Sequence, residues 1–251
     1  MSKWLAGRVL ENRAWTDTLF SLRVQLGTSG PRLSFTAGQF VRIALDIDGE
    51  RVARPFSFVN VPEDPELEFY GVIVPEGPLS PLLARLRTGD ALYVADNPSG
   101  FLVLAEVPPA EDLWLLATGT GIAPFLSILR TAMPWERYRR VILVHGVRHT
   151  IELVYQDMLR EVADARGNQF VMIKTTTREK TPNALHGRIP AVIHDGSLEA
   201  TAGAPIAPER SQFMLCGNPG MLKDAAAALA RRGLRKNRRR TPGQITVESF
   251  W

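Results

Sequence analysis

The pattern of apolar residues changes near residue 108, and this change limits the folds that the 251-residue chain can adopt. In the first part, Phe20, Leu22 and Val24 alternate with polar residues, which is typical of a strand buried on one face. Further short strand candidates cover residues 40–45, 54–59, 67–74 and 91–95. Turn signals separate them, including the hairpin pair Asp48-Gly49. Many short strands with turns between them predict an antiparallel β-barrel or sandwich.

One short helix interrupts this series of strands. Ser80 is of the residue type that caps helices, and Pro81 follows at the position that proline favours in the first helical turn. We therefore predict a helix with Ser80 as its N-cap. The spacing of its apolar residues predicts that Leu82, Leu83 and Leu86 face inward.

After residue 108 the chain alternates between continuous apolar runs and amphipathic stretches. The apolar runs cover residues 113–117, 141–144, 170–173 and 213–216, as in parallel strands that are buried on both faces. Apolar residues recur at helical spacing in 153–165, and 220–232 is rich in alanine. This alternation predicts a parallel α/β sheet of the Rossmann-like type. We place the boundary near Val107-Pro108-Pro109 and predict two domains, residues 1–106 and 107–251.

Composition excludes several classes of protein. The only cysteine, Cys216, excludes an internal disulfide and an iron–sulfur cluster held by several thiolates of this chain. None of the four histidines forms a metal-ligand pair at helical spacing, so we expect no protein-bound metal. The longest apolar run is too short to cross a bilayer, and residues 1–8 contain no signal-like apolar stretch, so we expect a cytoplasmic protein. A net charge of +4 favours anionic partners.

A glycine-containing turn marks a candidate phosphate site in the second part. The segment 118–124, Thr-Gly-Thr-Gly-Ile-Ala-Pro, follows a predicted buried strand and precedes the apolar segment 125–129. A strand, a glycine turn and a helix together present free backbone N–H groups to phosphate. Pro124 stands where the full dinucleotide fingerprint has a third glycine. An ordinary strand-to-helix turn is therefore the alternative interpretation.

Three arginines strengthen the phosphate hypothesis. Arg148 comes just after the candidate strand 141–144 and Arg178 just after the segment 170–175, and Arg188 follows a short distance on. Ligands of open α/β sheets bind at the carboxyl ends of the strands. Arginine matches phosphate oxygens with two parallel hydrogen bonds, as a 2′-phosphate requires. Any single arginine is equally well explained as solvated surface, but the three together favour NADP over NAD.

The segment Arg54-Pro55-Phe56-Ser57 lies in a candidate strand of the first part. An arginine, an aromatic ring and a hydroxyl at this spacing can bind a phosphate, stack on a planar ring and hydrogen-bond its edge. Any edge strand can carry such a pattern by chance, so the spacing alone is weak evidence.

The order of motifs along the whole chain resembles that of the bacterial ferredoxin/flavodoxin–NADP reductases, in the subclass that ends in an aromatic pair. The resemblance covers essentially all 251 residues. The matching segments are Trp4, Trp15-Thr16-Asp17, residues 35–40, residues 47–52, Arg54-Pro55-Phe56-Ser57, residues 67–70, residues 115–119, Cys216-Gly217-Asn218-Pro219 and residues 247–251. The family fold is an antiparallel β-barrel that binds FAD, followed by an α/β domain that binds NADP.

The resemblance implies roles for residues of the FAD site. Arg54 is expected to hold the pyrophosphate, Phe56 to stack on one face of the flavin, and Ser57 to hydrogen-bond the ring near N5. At the terminus, Phe250 is expected to cover the opposite flavin face and Trp251 to stack on the adenine. The other implied FAD contacts are Pro55, Tyr70, Gly77, Pro78, Leu79, Ser80 and Thr120.

The resemblance also implies an NADP site and a reaction. The implied NADP contacts are Gly119, Arg148, Thr177, Arg178, Arg188, Gly217 and Asn218. Ser57, Cys216, Glu248 and Phe250 match residues around the reacting rings, although a lone buried cysteine is more often a core residue and an isolated glutamate more often solvated. The implied reaction passes hydride between NADPH and FAD, and single electrons between FAD and ferredoxin or flavodoxin. A monomer fits the family.

The chain departs from the family pattern at both flavin-stacking positions, which are usually tyrosine and here are Phe56 and Phe250. A phenyl ring keeps the stacking area and removes one hydroxyl, and a neutral hydrogen bond contributes about 0.5–1.5 kcal/mol. We therefore expect FAD binding to persist.

The basic run 235–240 has three possible interpretations. Its cations are Arg235, Lys236, Arg238, Arg239 and Arg240. A solvated loop is the simplest interpretation, and a docking patch for an acidic ferredoxin or flavodoxin is the one that we favour. Nucleic-acid binding ranks last because the run contains no interleaved aromatic residues and no recognition motif accompanies it.

Two further functions stay open at this point. A free-flavin or cytochrome reductase that uses NADH is the nearest alternative, and the three arginines argue against it. A non-enzymatic flavin- or nucleotide-binding regulator would keep the fold without turnover, and failure to oxidise NADPH with any acceptor would identify it.

Overall fold

The computed structural model describes residues 3–27 and 33–249, which form two six-stranded sheets. The first sheet is antiparallel and has the order β4-β3-β6-β1-β2-β5. Its strands are β1 (Trp4–Ala14), β2 (Leu19–Leu26), β3 (Phe40–Ile47), β4 (Glu50–Ser57), β5 (Leu67–Val72) and β6 (Ala91–Ala95). The predicted antiparallel fold of the first part is confirmed. The strand predicted over 54–59 ends at Ser57, and the one predicted over 67–74 ends at Val72.

The hairpin between β3 and β4 follows from its two turn residues. Asp48 and Gly49 have φ of 51° and 84°, and they join Ile47 directly to Glu50, its cross-strand partner. Positive φ at both central residues is the requirement of a type I′ turn, which Asp-Gly meets at low cost. The turn sets the register of β4 and therefore the face on which Ser57 lies.

The short helix α1 (Ser80–Leu83) differs in detail from the prediction. Ser80 is the first helical residue rather than the cap, and its hydroxyl accepts a hydrogen bond from the Val74 N–H at 2.9 Å. Leu83 is buried as expected and Leu86 is half-buried, but Leu82 is 37% exposed. A helix of one turn buries only one side, so the prediction that Leu82 faces inward is wrong.

The second sheet is entirely parallel and has the order β10-β9-β8-β7-β11-β12. Its strands are β7 (Asp112–Thr118), β8 (Arg140–Val147), β9 (Phe170–Thr176), β10 (Leu185–His186), β11 (Ser211–Cys216) and β12 (Ile245–Glu248). The helices that follow α1 are α2 (Ala123–Leu129), α3 (Met133–Arg137), α4 (Gln156–Arg166), α5 (Ile189–His194), α6 (Ser197–Ala202) and α7 (Pro219–Ala230). The predicted α/β part is confirmed, and the strand order reverses its direction of growth between β7 and β11.

Side chains alternate across β7 and separate two hydrophobic layers. Trp114 and Leu116 pack with helices α5, α6 and α7 on one face. Leu113 and Leu115 belong to the other layer, which also contains Tyr70 and further residues of the first part of the chain. The two sheets therefore meet across one shared hydrophobic layer, which fixes the position of one relative to the other.

A buried charge aligns the beginnings of three strands. Asp112, at the start of β7, is fully buried and lies 3.4 Å from the Arg140 guanidinium and 3.1 Å from that of Arg210. Removing one partner of such a buried group leaves an uncompensated charge, so the register of β7 with its neighbours is strongly specified. In consequence the carboxyl ends of the strands lie side by side at the opposite edge of the sheet.

Within residues 3–27 and 33–249, no helix is long and apolar enough to cross a membrane. The same ranges contain no group of three or more His, Cys, Asp or Glu side chains placed to hold a metal ion.

Gly38 provides a test of the contact between the loops 36–39 and 99–103. Its φ is +101°, and a Cβ atom there would lie 2.0 Å from the Leu102 carbonyl oxygen. Gly89 has a similar φ of +93° but open space around it. We expect Gly89→Ala to lower the free energy of unfolding by about 1–2 kcal/mol through conformation alone. Gly38→Ala adds a backbone clash, so we expect a loss of at least about 3 kcal/mol in urea unfolding. Equal losses for the two variants would contradict the close contact at Gly38.

Candidate functional site

A cavity of about 450 Å³ lies between the first sheet and the loop that follows β7. All the predicted FAD contacts that fall in the described ranges line it: Arg54, Pro55, Phe56, Ser57, Tyr70, Gly77, Pro78, Leu79, Ser80 and Thr120. Gly71, Val72, Val74 and Ala123 complete the wall. The two remaining predicted FAD contacts, Phe250 and Trp251, lie outside the described residues. The structure thus brings segments 54–57, 70–80 and 120–123 of the chain together around one space.

Gly71 was missed by sequence reasoning, although it carries a signal. A Cβ on this glycine would lie 2.8 Å from the Phe56 ring and 2.9 Å from the Phe20 ring. Glycine inside a strand often marks a place where another group approaches closely. Here the missing side chain leaves room for the Phe56 ring at the cavity wall.

Two buried polar atoms on the cavity wall have no partner within the described part of the chain. They are the hydroxyls of Ser57 and Tyr70, whose residues are 5% and 3% exposed. A buried polar group without a hydrogen bond costs about 1–3 kcal/mol, so such atoms imply a ligand that supplies the partner. Burial raises the pKa of the Tyr70 phenol, which therefore remains a donor. A planar ring with polar edges, such as a flavin, fits this wall of aromatic, aliphatic and hydroxyl groups.

Arg54 supplies positive charge to the same cavity. Arg54 is exposed, and its guanidinium donates to the Ala53 carbonyl at 2.8 Å. No carboxylate in the described ranges forms an ion pair with it. The charge is therefore available to an anion such as a pyrophosphate, which arginine binds well.

The loops after β7 and β11 interlock at the point where the strand order reverses. A Cβ on Gly121 would lie 2.5 Å from the Cys216 carbonyl oxygen, and one on Gly217 would lie 2.2 Å from Thr118 Oγ1. The Asn218 N–H donates to that same Thr118 hydroxyl at 3.0 Å. Only glycine permits this approach on both sides. The predicted NADP contacts Gly217 and Asn218 therefore lie directly beside the glycine turn that contains Gly119.

Each loop then starts a helix. Residues Gly119–Ile122 form a 3₁₀ turn that leads into α2, with Pro124 near its N-terminus, where proline is tolerated. Asn218 caps α7 by accepting hydrogen bonds from the N–H groups of Gly220 and Met221. Crevices at such a reversal of strand order are the usual ligand sites of open α/β sheets.

His145 contacts the glycine turn from the neighbouring strand β8, and the sequence pattern did not single it out. It is fully buried on β8, and its Nε2 lies 3.0 Å from the Gly119 carbonyl oxygen. Burial lowers the pKa of His145 to about 4, so the ring is neutral at neutral pH and its Nε2–H donates to the carbonyl. A histidine inside an otherwise apolar parallel strand is the signal that sequence analysis overlooked.

The three predicted NADP arginines lie along one edge of the second sheet, after β8, β9 and β10. The Arg178 N–H donates to the Arg148 carbonyl at 3.0 Å, which joins two of these loops. Arg188 follows Gly187, whose N–H donates to Thr176 at the end of β9. Thr177, predicted beside them, donates its hydroxyl to the Val147 carbonyl at 3.4 Å.

The charge of these arginines is unpaired, while nearby carboxylates are occupied. Arg148, Arg178 and Arg188 are exposed, and across residues 3–27 and 33–249 their side chains form no ion pair. The Glu152 carboxylate accepts the Arg148 backbone N–H at 3.0 Å, and that of Glu179 accepts the Thr150 N–H. The sheet edge thus presents a net positive surface to an anion.

Cys216 and Glu248 are neighbours on β11 and β12, as cross-strand partners. The Cys216 thiol is buried, and both burial and the adjacent Glu248 raise its pKa. Glu248 is 8% exposed, and its Oε1 accepts the Phe101 N–H at 3.0 Å. Burial raises the pKa of Glu248 to about 7, with a smaller opposing effect from the backbone N–H groups of Phe101 and Leu102. Neither residue is among those that line the cavity.

The basic run 235–240 is an ordered loop between α7 and β12 that touches the first part of the chain. Asn237 donates to the Glu106 carbonyl at 2.7 Å, and Arg239 lies 3.8 Å from the Glu106 carboxylate. Arg239 also lies over the Phe101 ring, 5.6 Å from its centroid. All five cations of the run are exposed. The loop is therefore held next to the residues that contact Glu248.

Comparison with known proteins agrees with this arrangement. Residues 8–101 match the oxidoreductase FAD-binding domain and residues 115–227 match the oxidoreductase NAD-binding domain. The flavodoxin/ferredoxin–NADP reductase of Escherichia coli is 45% identical over 252 residues, with 100% of each chain covered. The ferredoxin–NADP reductase of Pseudomonas aeruginosa is 38% identical, covering 99% of this chain and 98% of that protein.

A solved structure gives the same result. The ferredoxin–NADP⁺ reductase of Neisseria gonorrhoeae, with bound FAD and NADP, superimposes with a TM-score of 0.93 at 32% identity and full coverage of both chains. The resemblance inferred from the motifs is therefore confirmed. Identity at this level over the whole length, together with both domain matches, means that this chain belongs to the flavodoxin/ferredoxin–NADP reductase family.

Proposed function

We propose that this protein is an FAD-dependent reductase that passes hydride between NADPH and FAD, and single electrons between FAD and ferredoxin or flavodoxin. The observation that carries the proposal is the cavity whose wall contains the unpartnered hydroxyls of Ser57 and Tyr70. Its size and its mixture of aromatic, aliphatic and polar groups suit a flavin. The relatives whose names include these carriers support the choice of partners.

The FAD site is proposed to use the cavity residues in distinct ways. Phe56 packs against one face of the flavin, the Ser57 hydroxyl hydrogen-bonds its edge, and the Arg54 guanidinium neutralises the pyrophosphate. Phe250 and Trp251 are proposed to cover the other flavin face and the adenine. Bound FAD supplies the chemistry of this reaction, because it accepts two electrons as hydride and releases them one at a time.

The NADP site is proposed to extend from the interlocked glycine loops to the arginine edge of the second sheet. The nicotinamide end of NADP is proposed to lie near Gly119, Gly217 and Asn218. Its 2′-phosphate is proposed to lie near Thr177 and the three arginines. We propose a domain division at residues 1–106 and 107–251, in which each domain binds one cofactor and the two reacting rings would meet where the domains face each other. Rings that are positioned in this way need little further reorganisation.

Glu248 is proposed to balance charge beside the reacting rings. Since its pKa is raised to about 7, small changes in local charge can change its protonation at neutral pH. The neighbouring Cys216 thiol is neutral, so it adds no second negative charge beside Glu248.

We further propose that the protein acts as a monomer in the cytoplasm. All the residues assigned to the two sites come from one chain, and a single cysteine suits a reducing compartment. An NADH-dependent reductase of the same fold is the alternative, and the unpaired arginines favour NADPH over it.

The arginine edge predicts a specific change in cofactor preference. We expect Arg178→Ala to raise the KM for NADPH about 10–100-fold, because a hydrogen bond to a charged group contributes about 1.5–3 kcal/mol. The KM for NADH should hardly change, since NADH has no 2′-phosphate. Steady-state assays with an artificial acceptor measure both values, and Arg160→Ala, an exposed arginine on α4, is the control. An equal loss with both cofactors would contradict the assignment.

Glu248 predicts a pH dependence of stability. Its pKa in the folded protein, about 7, lies above the ordinary value near 4.5, so its stabilising effect is present below pH 4.5 and is lost as the pH rises through 7. We compare the free energy of unfolding of Glu248→Gln with that of the unsubstituted protein at pH 5 and at pH 8. We expect this difference to shift in favour of Glu248→Gln by up to about 3 kcal/mol from the lower to the higher pH. Urea unfolding of the FAD-saturated proteins at both pH values measures this difference. The depressed pKa of His145 acts in both proteins and cancels. A difference that does not change with pH would contradict the raised pKa of Glu248.

The basic run predicts salt-dependent docking. We expect Arg238→Gln together with Arg240→Gln to weaken the association with ferredoxin or flavodoxin about 5–10-fold at low salt, because long-range steering is reduced. The effect should nearly vanish at 1 M salt, where screening acts over about 3 Å. Titration of each carrier at both salt concentrations measures it, and Arg160→Gln with Lys223→Gln is the matched double variant. Reduction of the flavin by NADPH should not change. Docking that does not depend on salt would argue against this surface.

A further inference from the structure

Tyr155 adopts a backbone conformation that its residue type disfavours. It precedes α4 as the N-cap residue, with φ of 59° and ψ of 23°, in the left-handed region. Large side chains with a Cβ atom rarely occupy this region, because the conformation is strained. Its side chain also forms no cap for the helix, although N-cap positions usually carry a residue that does. A residue that breaks two local rules at one position calls for an explanation in tertiary contacts.

The unusual backbone directs the Tyr155 side chain out of the helix and onto the first sheet. Its hydroxyl donates to the Glu68 carboxylate at 2.8 Å, and burial raises the pKa of the phenol, which remains a donor. Its ring also meets the Trp15 ring, with the centroids 4.9 Å apart. Glu68 and Trp15 both belong to the first part of the chain, so one side chain of the α/β part reaches across the boundary between the two sheets.

The third partner of Tyr155 is a residue of the cofactor cavity. The rings of Tyr155 and Tyr70 meet edge to face, with centroids 5.4 Å apart and an angle of 81° between their planes. Tyr70 lines the cavity, whereas Tyr155 lines a separate crevice of about 200 Å³ together with Trp15 and Glu68. Tyr155 is 6% exposed and does not reach the cavity itself. It therefore supports Tyr70 without being part of the cavity wall.

Ring packing has to hold Tyr70 in place. The Tyr70 hydroxyl is buried and has no hydrogen-bond partner within the part of the chain that the structure describes. The orientation of its ring is thus set by neighbours such as Tyr155, whose own ring packs against Trp15 and whose hydroxyl donates to Glu68. An edge-to-face pair has a preferred geometry, so fixing one ring restricts the other.

We infer that Tyr155 is a positioning residue that holds the Tyr70 ring against the bound flavin and joins the start of α4 to the cofactor site. The inference rests on the proposed placement of FAD in the cavity. It explains why an aromatic residue occupies a position where asparagine or glycine would fit the backbone better. Tyr155 acts on the cofactor only through Tyr70.

The test separates the Tyr155 ring from its backbone. Tyr155→Asn removes the ring but leaves a residue that tolerates the left-handed region and caps helices, so the start of α4 is kept. Tyr155→Phe keeps the ring and removes only the bond to Glu68. We expect the dissociation constant of FAD to rise about tenfold for Tyr155→Asn, with an altered visible circular dichroism spectrum of the bound flavin. Tyr155→Phe should recover most of the original affinity and spectrum.

Tyr138→Leu is the matched control for a structural effect. Tyr138 is a buried tyrosine of the α/β part whose hydroxyl has no hydrogen-bond partner among the described residues, and it is not among the residues that line the cavity. Its replacement should lower thermal stability but leave the dissociation constant and spectrum of FAD unchanged. Equal changes of FAD binding in Tyr138→Leu and Tyr155→Asn would overturn the inference, as would unchanged FAD affinity and spectrum in Tyr155→Asn. If Tyr155→Asn does not fold, Tyr155→His, which keeps a smaller ring, takes its place. Its FAD dissociation constant and flavin spectrum are then judged by the same criteria.

Tyr70→Leu distinguishes failure of this inference from failure of the proposed function. If Tyr70→Leu alters the flavin spectrum and Tyr155→Asn does not, FAD occupies the cavity and the role of Tyr155 is wrong. If Tyr70→Leu also leaves the spectrum and affinity unchanged, the placement of FAD in the cavity is wrong, and the inference fails with it.

Discussion

The close backbone contact between the loops after β7 and β11 is the constraint on which the site depends. These loops belong to neighbouring strands at the point where the strand order reverses, so a crevice opens between them. Gly121 and Gly217 allow each loop to approach within van der Waals distance of the other, and Thr118 joins them through its hydroxyl. The buried Asp112 cluster at the opposite edge holds the same strands in register. Because the strands are aligned at one edge of the sheet, the loops that follow them form a crevice at the other edge.

Charge is distributed so that the site edge attracts anions. Near the three arginines, the carboxylates of Glu152 and Glu179 accept backbone N–H groups instead of pairing with the guanidinium groups. In water, an arginine paired with a carboxylate on the surface gains little stability, so leaving it unpaired costs little for folding. The same freedom favours the proposed phosphate contact, because no carboxylate among the described residues forms an ion pair with these guanidinium groups.

Much of the fold could be predicted because it depends on periodicity and turn chemistry. The change from alternating to continuous apolar runs separates the two sheets, and Asp48-Gly49 predicts the hairpin that sets the register of Ser57. The errors have local causes. Ser80 resembles a cap in sequence, but its hydroxyl bonds to Val74, and Leu82 is exposed because α1 makes only one turn. Short elements depend on neighbours that are distant in sequence, so local patterns describe them poorly.

The residues that sequence analysis missed share a physical property: each is explained by a contact that local spacing cannot reveal. His145 has the pattern of a core residue, yet its ring bonds to a carbonyl on the neighbouring strand's loop. Tyr155 has the pattern of a residue before a helix, yet its side chain crosses to the first sheet. Both break a local rule, one by burying an imidazole and the other by straining the backbone. Such exceptions persist only when the surrounding structure compensates for them, and they lie beside the proposed cofactor site because that is where precise placement of a few groups matters more than local stability.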